Sequence, residues 1–346
     1  MRWMPAVLLA LGACGDQSAK TPDAMVDAPD VMIDAPPDAN LMPGTLAETG
    51  LCLDASCSQI SPDVVAYQPH FQLWSDTATK RRWIYLPPGT QIDTTDMDFW
   101  KFPVGTKIWK EFTRDNIRVE TRFIMRIGPG DTNADWYYVP YVWNSTQDAT
   151  TAEPAGVIDA NGTSHDVPSR FQCRTCHENN KPSRILGFSA IQLDWDNPDT
   201  AQLDLGELVS RSLLSNPPSA PSSAGAPYFP LPGTTNEPPA LGYLHANCGH
   251  CHNPNSNVYT STPMQLRLTV GTLGSLATTP VYTTAVDQTS TLSAPAKIIA
   301  KGDPTNSVMV IRFESGNPTL HMPALGSEMT DPTGDTTLTT WITNIP

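Results

Sequence analysis

Ile117-Arg118-Val119-Glu120-Thr121-Arg122-Phe123-Ile124-Met125-Arg126-Ile127 is the stretch on which the fold turns. Ile117, Val119, Thr121, Phe123, Met125 and Ile127 fall on one side of an extended chain, and Arg118, Glu120, Arg122 and Arg126 on the other. A period of two is the mark of a half-buried strand. Shorter alternations recur in Ile108-Trp109-Lys110-Glu111-Phe112 and Trp136-Tyr137-Tyr138-Val139, with turn signals at Pro87-Pro88-Gly89 and Gly128-Pro129-Gly130. Together they predict an antiparallel β region over about 60–145. Trp74, Trp83, Trp100, Trp109, Trp136 and Trp143 lie in it, and in a sheet-rich domain their expected place is the core, with a ligand groove as the alternative.

Outward from this region the composition changes twice. Residues 15–45 carry Asp16, Asp23, Asp27, Asp30, Asp34 and Asp38 among prolines, with almost nothing large to bury, and read as a solvated tether. Residues 215–239 are dense in Pro, Ser, Gly and Ala and read as a linker. The expected organisation is therefore a leader over 1–14, the tether over 15–45, a β-rich domain over 46–170, a short segment over 171–214, the linker over 215–239 and a last domain over 240–346. Leu241 to Cys248 reads as helical, and so does Thr337 to Ile345. The 34 prolines among 346 residues predict few long helices.

Arg2, the apolar run Ala6 to Ala13, and Leu11-Gly12-Ala13-Cys14 have the anatomy of a lipoprotein leader, in which Cys14 becomes a lipid-bearing N-terminus. An ordinary secretory leader is the alternative. The expectation is an exported protein, in the periplasm or at the cell surface, held to a membrane by lipid at Cys14. A formal net charge of -14 argues against a nucleic-acid partner, because a phosphate backbone demands a basic face.

Seven cysteines are present. Cys52 and Cys57 form an even remainder that suits a disulfide in an oxidising compartment. The other four belong to Cys173-Arg174-Thr175-Cys176-His177 and Cys248-Gly249-His250-Cys251-His252. Cys-x-x-Cys-His is the attachment signature of c-type haem. On a helical turn the two thiols share one face, where they add across the haem vinyl groups, and the His that follows ligates the iron. Zinc is the competing reading, but zinc ribbons bring their pairs closer in sequence, and here they lie 75 positions apart with a linker between them. Two haem c groups are therefore expected, on Cys173 and Cys176 and on Cys248 and Cys251, with His177 and His252 as iron ligands.

Each iron has a sixth position. In His321-Met322-Pro323-Ala324-Leu325-Gly326, Met322 is the expected ligand of the second haem, with His321 next in line. For the first, no Met or His occurs between His177 and His245, which leaves His70, Met97, Met125, His165, His245, His250, Lys181 or an open site. An open site would let a small molecule such as peroxide reach the iron.

At these residues the chain resembles secreted diheme c-type cytochromes, whose relatives include haem modules associated with quinoprotein sugar dehydrogenases. The stretches that carry the resemblance include Leu73-Trp74-Ser75-Asp76, Lys80-Arg81-Arg82-Trp83, Phe102-Pro103-Val104-Gly105-Thr106, Tyr141-Val142-Trp143-Asn144 and Pro168-Ser169-Arg170. Gly302-Asp303-Pro304 and Met322-Pro323-Ala324-Leu325-Gly326 resemble the closing half of a class I cytochrome c domain. The resemblance implies an α+β chain: an antiparallel β-rich domain leading into a first haem segment, then a mainly α-helical class I cytochrome c-like domain. It also implies electron transfer in the cell envelope between redox protein partners, a quinoprotein dehydrogenase among the candidates. A diheme peroxidase with an open first haem is the alternative.

Overall fold

The computed structural model describes residues 43–291 and 296–345. The leader, Cys14 and most of the tether lie outside the described residues. Six strands form one antiparallel meander, β1 (Val65–Ala66), β2 (Thr79–Tyr85), β3 (Lys107–Arg114), β4 (Ile117–Arg126), β5 (Trp136–Trp143) and β6 (Thr150–Ala152), hydrogen-bonded in sequence order. The hairpin between β3 and β4 turns on Asp115 and Asn116, at φ 52° and 63°. Two successive positive φ angles mark the primed turn whose twist suits a two-residue hairpin, and Asp and Asn tolerate it best.

The alternation in β4 holds from Glu120 to Arg126, but a register shift at Phe112 and Thr113 leaves Val119 unpaired and carries Arg118 to the side of Trp143, and neither side of the sheet is left open to water. Trp83, Trp109, Phe123, Tyr137 and Tyr141 pack under Leu46, Leu51 and the Cys52–Cys57 disulfide, whose Cα atoms are 5.0 Å apart. On the other side Ile84, Ile108, Ile124 and Tyr138 join Phe188, Leu193, Leu203 and Leu205 in a second core. A half-buried strand was the expectation; the segments 43–60 and 179–214 cover both faces instead. The charged side of β4 is therefore partly covered: Glu120 is 0% exposed and the Arg122 side chain 24%. Trp83, Trp100, Trp109, Trp136 and Trp143 are all buried, as their core reading requires, while Trp74 is only partly covered.

Among the described residues seven α-helices follow: α1 (Arg170–Glu178), α2 (Ala190–Leu193), α3 (Leu205–Ser210), α4 (Glu237–Asn247), α5 (Pro280–Thr284), α6 (Val308–Phe313) and α7 (Pro332–Thr343). Ser169 caps α1, accepting from Gln172 N while Gln172 Oε1 accepts from Ser169 N at 2.8 Å. The expected helices near 241–248 and 337–345 correspond to α4 and α7. Among the described residues no helix is long and apolar enough to cross a membrane.

The mainly α-helical class I cytochrome c-like domain expected over 240–346 is not what forms. The architecture is dominated by the six-stranded antiparallel sheet, and residues 248–279 contain no α-helix at all. Only α4 and α7 exceed two turns in this part, and isolated bridges such as Val286↔Ile299 and Lys297↔Ser307 do much of the ordering. The cause is in the chain: Pro254, Pro263, Gly271 and Gly274 interrupt any helix between 248 and 279, and Pro280 and Pro332 each sit at a helix start. α4, α6 and α7 enclose a compact core of Leu241, Leu244, Val310, Phe313, Leu338 and Trp341.

The Pro/Ser-rich stretch is irregular but anchored. Asp194 accepts from the Tyr228 and Phe229 backbone N–H groups at 2.8 and 2.6 Å, and Phe229 packs against both the sheet core and the C-terminal core.

Candidate functional site

The first Cys-x-x-Cys-His lies on α1, which packs on β5. Arg170 Nε donates to the Tyr138 carbonyl at 3.0 Å, and the His177 ring lies 5.4 Å from the Tyr138 ring. Helical spacing puts Cys173, Cys176 and His177 on one side of α1. Cys173 packs against the sheet core, and both thiols are unbridged. His177 Nδ1 lies 2.6 Å from the Arg184 carbonyl. The carbonyl can only accept, so Nδ1 carries the proton and Nε2 keeps its lone pair.

That carbonyl is held in place. Arg184 is 1% exposed, at φ 56°, a conformation non-glycine residues seldom adopt. Its guanidinium donates to Asp131 Oδ1 at 3.1 Å, Asn133 Oδ1 at 2.7 Å and the Asp131 carbonyl at 2.6 Å. Burial pushes the His177 pKa down to about 3 against this hydrogen bond, with the charges of Lys110 and Arg122 adding to the fall. The ring is neutral at pH 7, the form a metal ligand requires. Burial likewise pushes the Cys173 thiol up to about 12.

The second motif opens where α4 ends. Cys251 N and His252 N both donate to the Cys248 carbonyl, at 3.1 and 2.9 Å, so this stretch is also a helical turn. Gly249 permits it: a Cβ there would stand 2.7 Å from the His245 carbonyl and 2.8 Å from Arg267 Cα. Burial pushes the Cys248 thiol up to about 12 and His252 down to about 4, the latter helped by His250 and Arg312. His252 Nδ1 is buried with no hydrogen-bond partner.

Met322 and His321 lie on the loop that follows α6 and fold back on its end. Met322 N donates to the Arg312 carbonyl at 3.1 Å, and the charge of Arg312, after that of His250, lowers the pKa of His252. Met322 is partly exposed. His321 is buried, its Nδ1 is 3.1 Å from the Ser315 carbonyl, and its Nε2 has no hydrogen-bond partner. His321 thus repeats the disposition of His177, with Nδ1 anchored and Nε2 available.

The remaining candidates separate on geometry. Met125 packs on the sheet face opposite Cys173, because the two-residue period puts it beside Phe123 rather than Ile124. His165 Nε2 is 2.8 Å from Glu120 Oε1, and His245 Nδ1 accepts from Leu268 N at 3.0 Å, so its other nitrogen carries the proton. His70 is exposed and stacked on Phe71 and Trp195. Lys181 pairs with Glu178 at 3.2 Å. Met97 packs in the same core as Cys173.

The two motifs, 75 positions apart in the chain, meet. Asn253 Nδ2 donates to the Asn179 carbonyl at 3.2 Å, Asn257 N to Asn179 Oδ1 at 3.1 Å, and Asn255 Nδ2 to the Lys181 carbonyl at 3.0 Å. Arg267 Nη1 also donates to Asn180 Oδ1, and Asn179 Nδ2 approaches Cys251 Sγ at 4.0 Å. A second strap comes from the stretch Leu73-Trp74-Ser75-Asp76. Trp74 N donates to Asn247 Oδ1 at 2.7 Å, and Asp76 accepts from Glu328 N and Met329 N at 2.8 and 3.0 Å. Asn179, Asn180, Asn253, Asn255 and Asn257 did not stand out in the sequence, although Asn253 directly follows the second motif and Asn179 lies one residue beyond the first.

These residues meet the needs of haem c at both motifs: paired free thiols on a helical turn, and neutral imidazoles. His177 offers an anchored Nδ1 and a free Nε2; at the second motif, His252 Nδ1 and His321 Nε2 are buried nitrogens that no protein group satisfies. Among the described residues no three His, Cys, Asp or Glu side chains converge as ligands of a single ion. A haem iron takes only one or two protein ligands and needs no such cluster. Comparison of the chain with protein-family models, with curated proteins and with solved structures finds no match.

Proposed function

We propose that this chain is a diheme c-type cytochrome that relays electrons in the cell envelope, between a dehydrogenase-type donor and a downstream acceptor, tethered by lipid at Cys14. The observation that carries the reading is the junction at Asn179, where the residues that follow the two Cys-x-x-Cys-His turns hydrogen-bond to each other. Haem c supplies a one-electron iron couple when bound. Cys173 and Cys176 would hold one haem and Cys248 and Cys251 the other, with His177 and His252 as proximal ligands. Arg184 fixes the tautomer and orientation of His177, the role that outer hydrogen bonds play for metal-bound imidazole. His321 or Met322 would complete the second iron.

Intact-mass measurement on protein made together with a c-type haem attachment system tests this. Two haems per chain are expected, with one lost in Cys176→Ser and one in Cys251→Ser. A chain that takes up zinc and no haem overturns the reading. Spectra of the ferric protein decide between relay and peroxidase: two low-spin six-coordinate irons without peroxide turnover support the relay, and one high-spin iron with turnover replaces it by the enzyme.

A further inference from the structure

Geometry removes most candidates for the sixth position of the first iron. Met125 lies on the far side of the sheet, His165 is held by Glu120, His70 is stacked on Phe71 and Trp195, and Lys181 is paired with Glu178. His245 Nδ1 accepts from Leu268 N, so its other nitrogen carries the proton and has no lone pair to give. Met97 lines a surface cavity of about 360 Å³ with Pro218, Tyr228 and Phe229 of the linker. His250 remains, and its ring is unlike the others: Nδ1 is buried with no hydrogen-bond partner.

The second motif decides where that ring points. Residues 248–252 form a helical turn, on which Cys248, Cys251 and His252 share one side at positions i, i+3 and i+4. At about 3.6 residues per turn His250 falls on the opposite side, away from the haem that those three residues would hold. Asn253, three positions on, shares the side of His250. That side is turned to the end of α1: Asn253 Nδ2 donates to the His250 carbonyl at 2.9 Å and to the Asn179 carbonyl at 3.2 Å, so one amide group spans from His250 to the residue two beyond His177. Asn179 Nδ2 in turn approaches Cys251 Sγ at 4.0 Å. We propose that His250 is the sixth ligand of the first iron, opposite His177, supplied to the first haem by the motif that holds the second. This rests on the haem reading of both motifs. Burial, then Lys110, Arg122 and His250, lower the pKa of His177, which agrees with His250 lying within electrostatic range of that imidazole. Ligation gives the buried ring the partner that the protein does not. Two imidazoles close the first iron to small molecules, which favours the relay over the peroxidase. His250 also precedes Cys251 directly, so a short covalent path joins the first iron to the second haem.

Electron paramagnetic resonance of the ferric, fully loaded protein tests this. The wild type is expected to show a low-spin first iron, and His250→Ala one high-spin iron more per chain than the wild type, returned to low spin by added imidazole. His250→Met should keep the first iron low-spin and add a sulfur-to-iron band in the near infrared, a readout that a merely structural histidine would not move. In Cys176→Ser, expected to carry the second haem alone, His250→Ala should leave the spectrum unchanged. A first iron that stays low-spin in His250→Ala, or a change at the second iron, overturns the proposal. Should His250→Ala fail to load the first haem, a loaded low-spin iron in His250→Met supports ligation, and loss in both overturns it. A wild-type chain without covalent haem removes the underlying reading as well, whereas a loaded wild type with a high-spin first iron removes this proposal alone.

Discussion

The side-chain amide of Asn253 donates to the backbone carbonyl of Asn179 at 3.2 Å, joining the residue after the second Cys-x-x-Cys-His to the end of the helix that carries the first. Asn253 is 0% exposed and also donates to the Gly249 and His250 carbonyls, each at 2.9 Å. One side chain therefore sets the turn of the second motif and its distance from the first. Asn253→Ala leaves buried carbonyls without donors, a cost of about 1–3 kcal/mol. Urea unfolding of the loaded protein checks the stability, and flash reduction checks the slower equilibration expected between haems. Unchanged values in both would mean that the motifs are held together elsewhere.

The neighbours His321 and Met322 give opposite spectroscopic outcomes. His321 is buried with its Nε2 unsatisfied, and Met322 is partly exposed. If the thioether ligates, Met322→Ala abolishes the weak near-infrared sulfur-to-iron band and lowers the potential, because thioether ligation favours ferrous iron. If the imidazole ligates, that band is absent from the wild type and His321→Ala converts the second iron to high spin. Two silent variants would move the ligand out of this loop.

Arg184 positions His177 without touching the iron. Arg184→Ala removes three hydrogen bonds to Asp131 and Asn133 and frees the loop whose carbonyl holds Nδ1. Weaker hydrogen bonding lowers the basicity of the ligand, so the first haem should become easier to reduce, while the second keeps its potential. Asp131→Ala should give a smaller shift of the same sign. An unmoved first potential, read by redox titration, would make Arg184 purely structural.

Glu120 sets an acid limit on stability. Burial alone would raise its pKa, but Arg122 and His165 outweigh burial and hold the carboxyl below the ordinary 4.5. As pH falls below that value the unfolded chain takes up the proton first, so stability is present above it and is lost as pH drops through the folded pKa. Glu120→Gln breaks a buried pair at a cost of about 3–5 kcal/mol at neutral pH, and the gap to wild type should close in acid. Denaturation across a pH series reads this directly; a gap that stays constant would remove the linkage.

Local rules were readable where one residue's neighbours in the chain decide its state. The alternation around Phe123, the turn signals, the cysteine pairs and the helices near Leu244 and Trp341 all follow from short-range periodicity or spacing, and the structure contains the corresponding strands, turns, unbridged pairs and helices. Reading failed where burial is set by distant segments. Arg122 and Glu120 have the pattern of a solvent face, yet α1 and residues 179–214 cover them. The residues after 240 resemble a helical domain in a few motifs, yet Pro254, Pro263 and Pro280 leave only short helices.

The sequence by itself determined that this chain carries two Cys-x-x-Cys-His turns, because that chemistry needs only five consecutive residues on one helical turn. Only the tertiary structure decided that Met125 lies on the wrong side of the sheet and that Arg184 holds His177. It alone brought the two turns together at Asn179, because contact between segments 75 positions apart depends on packing across the whole fold, and no local pattern encodes it.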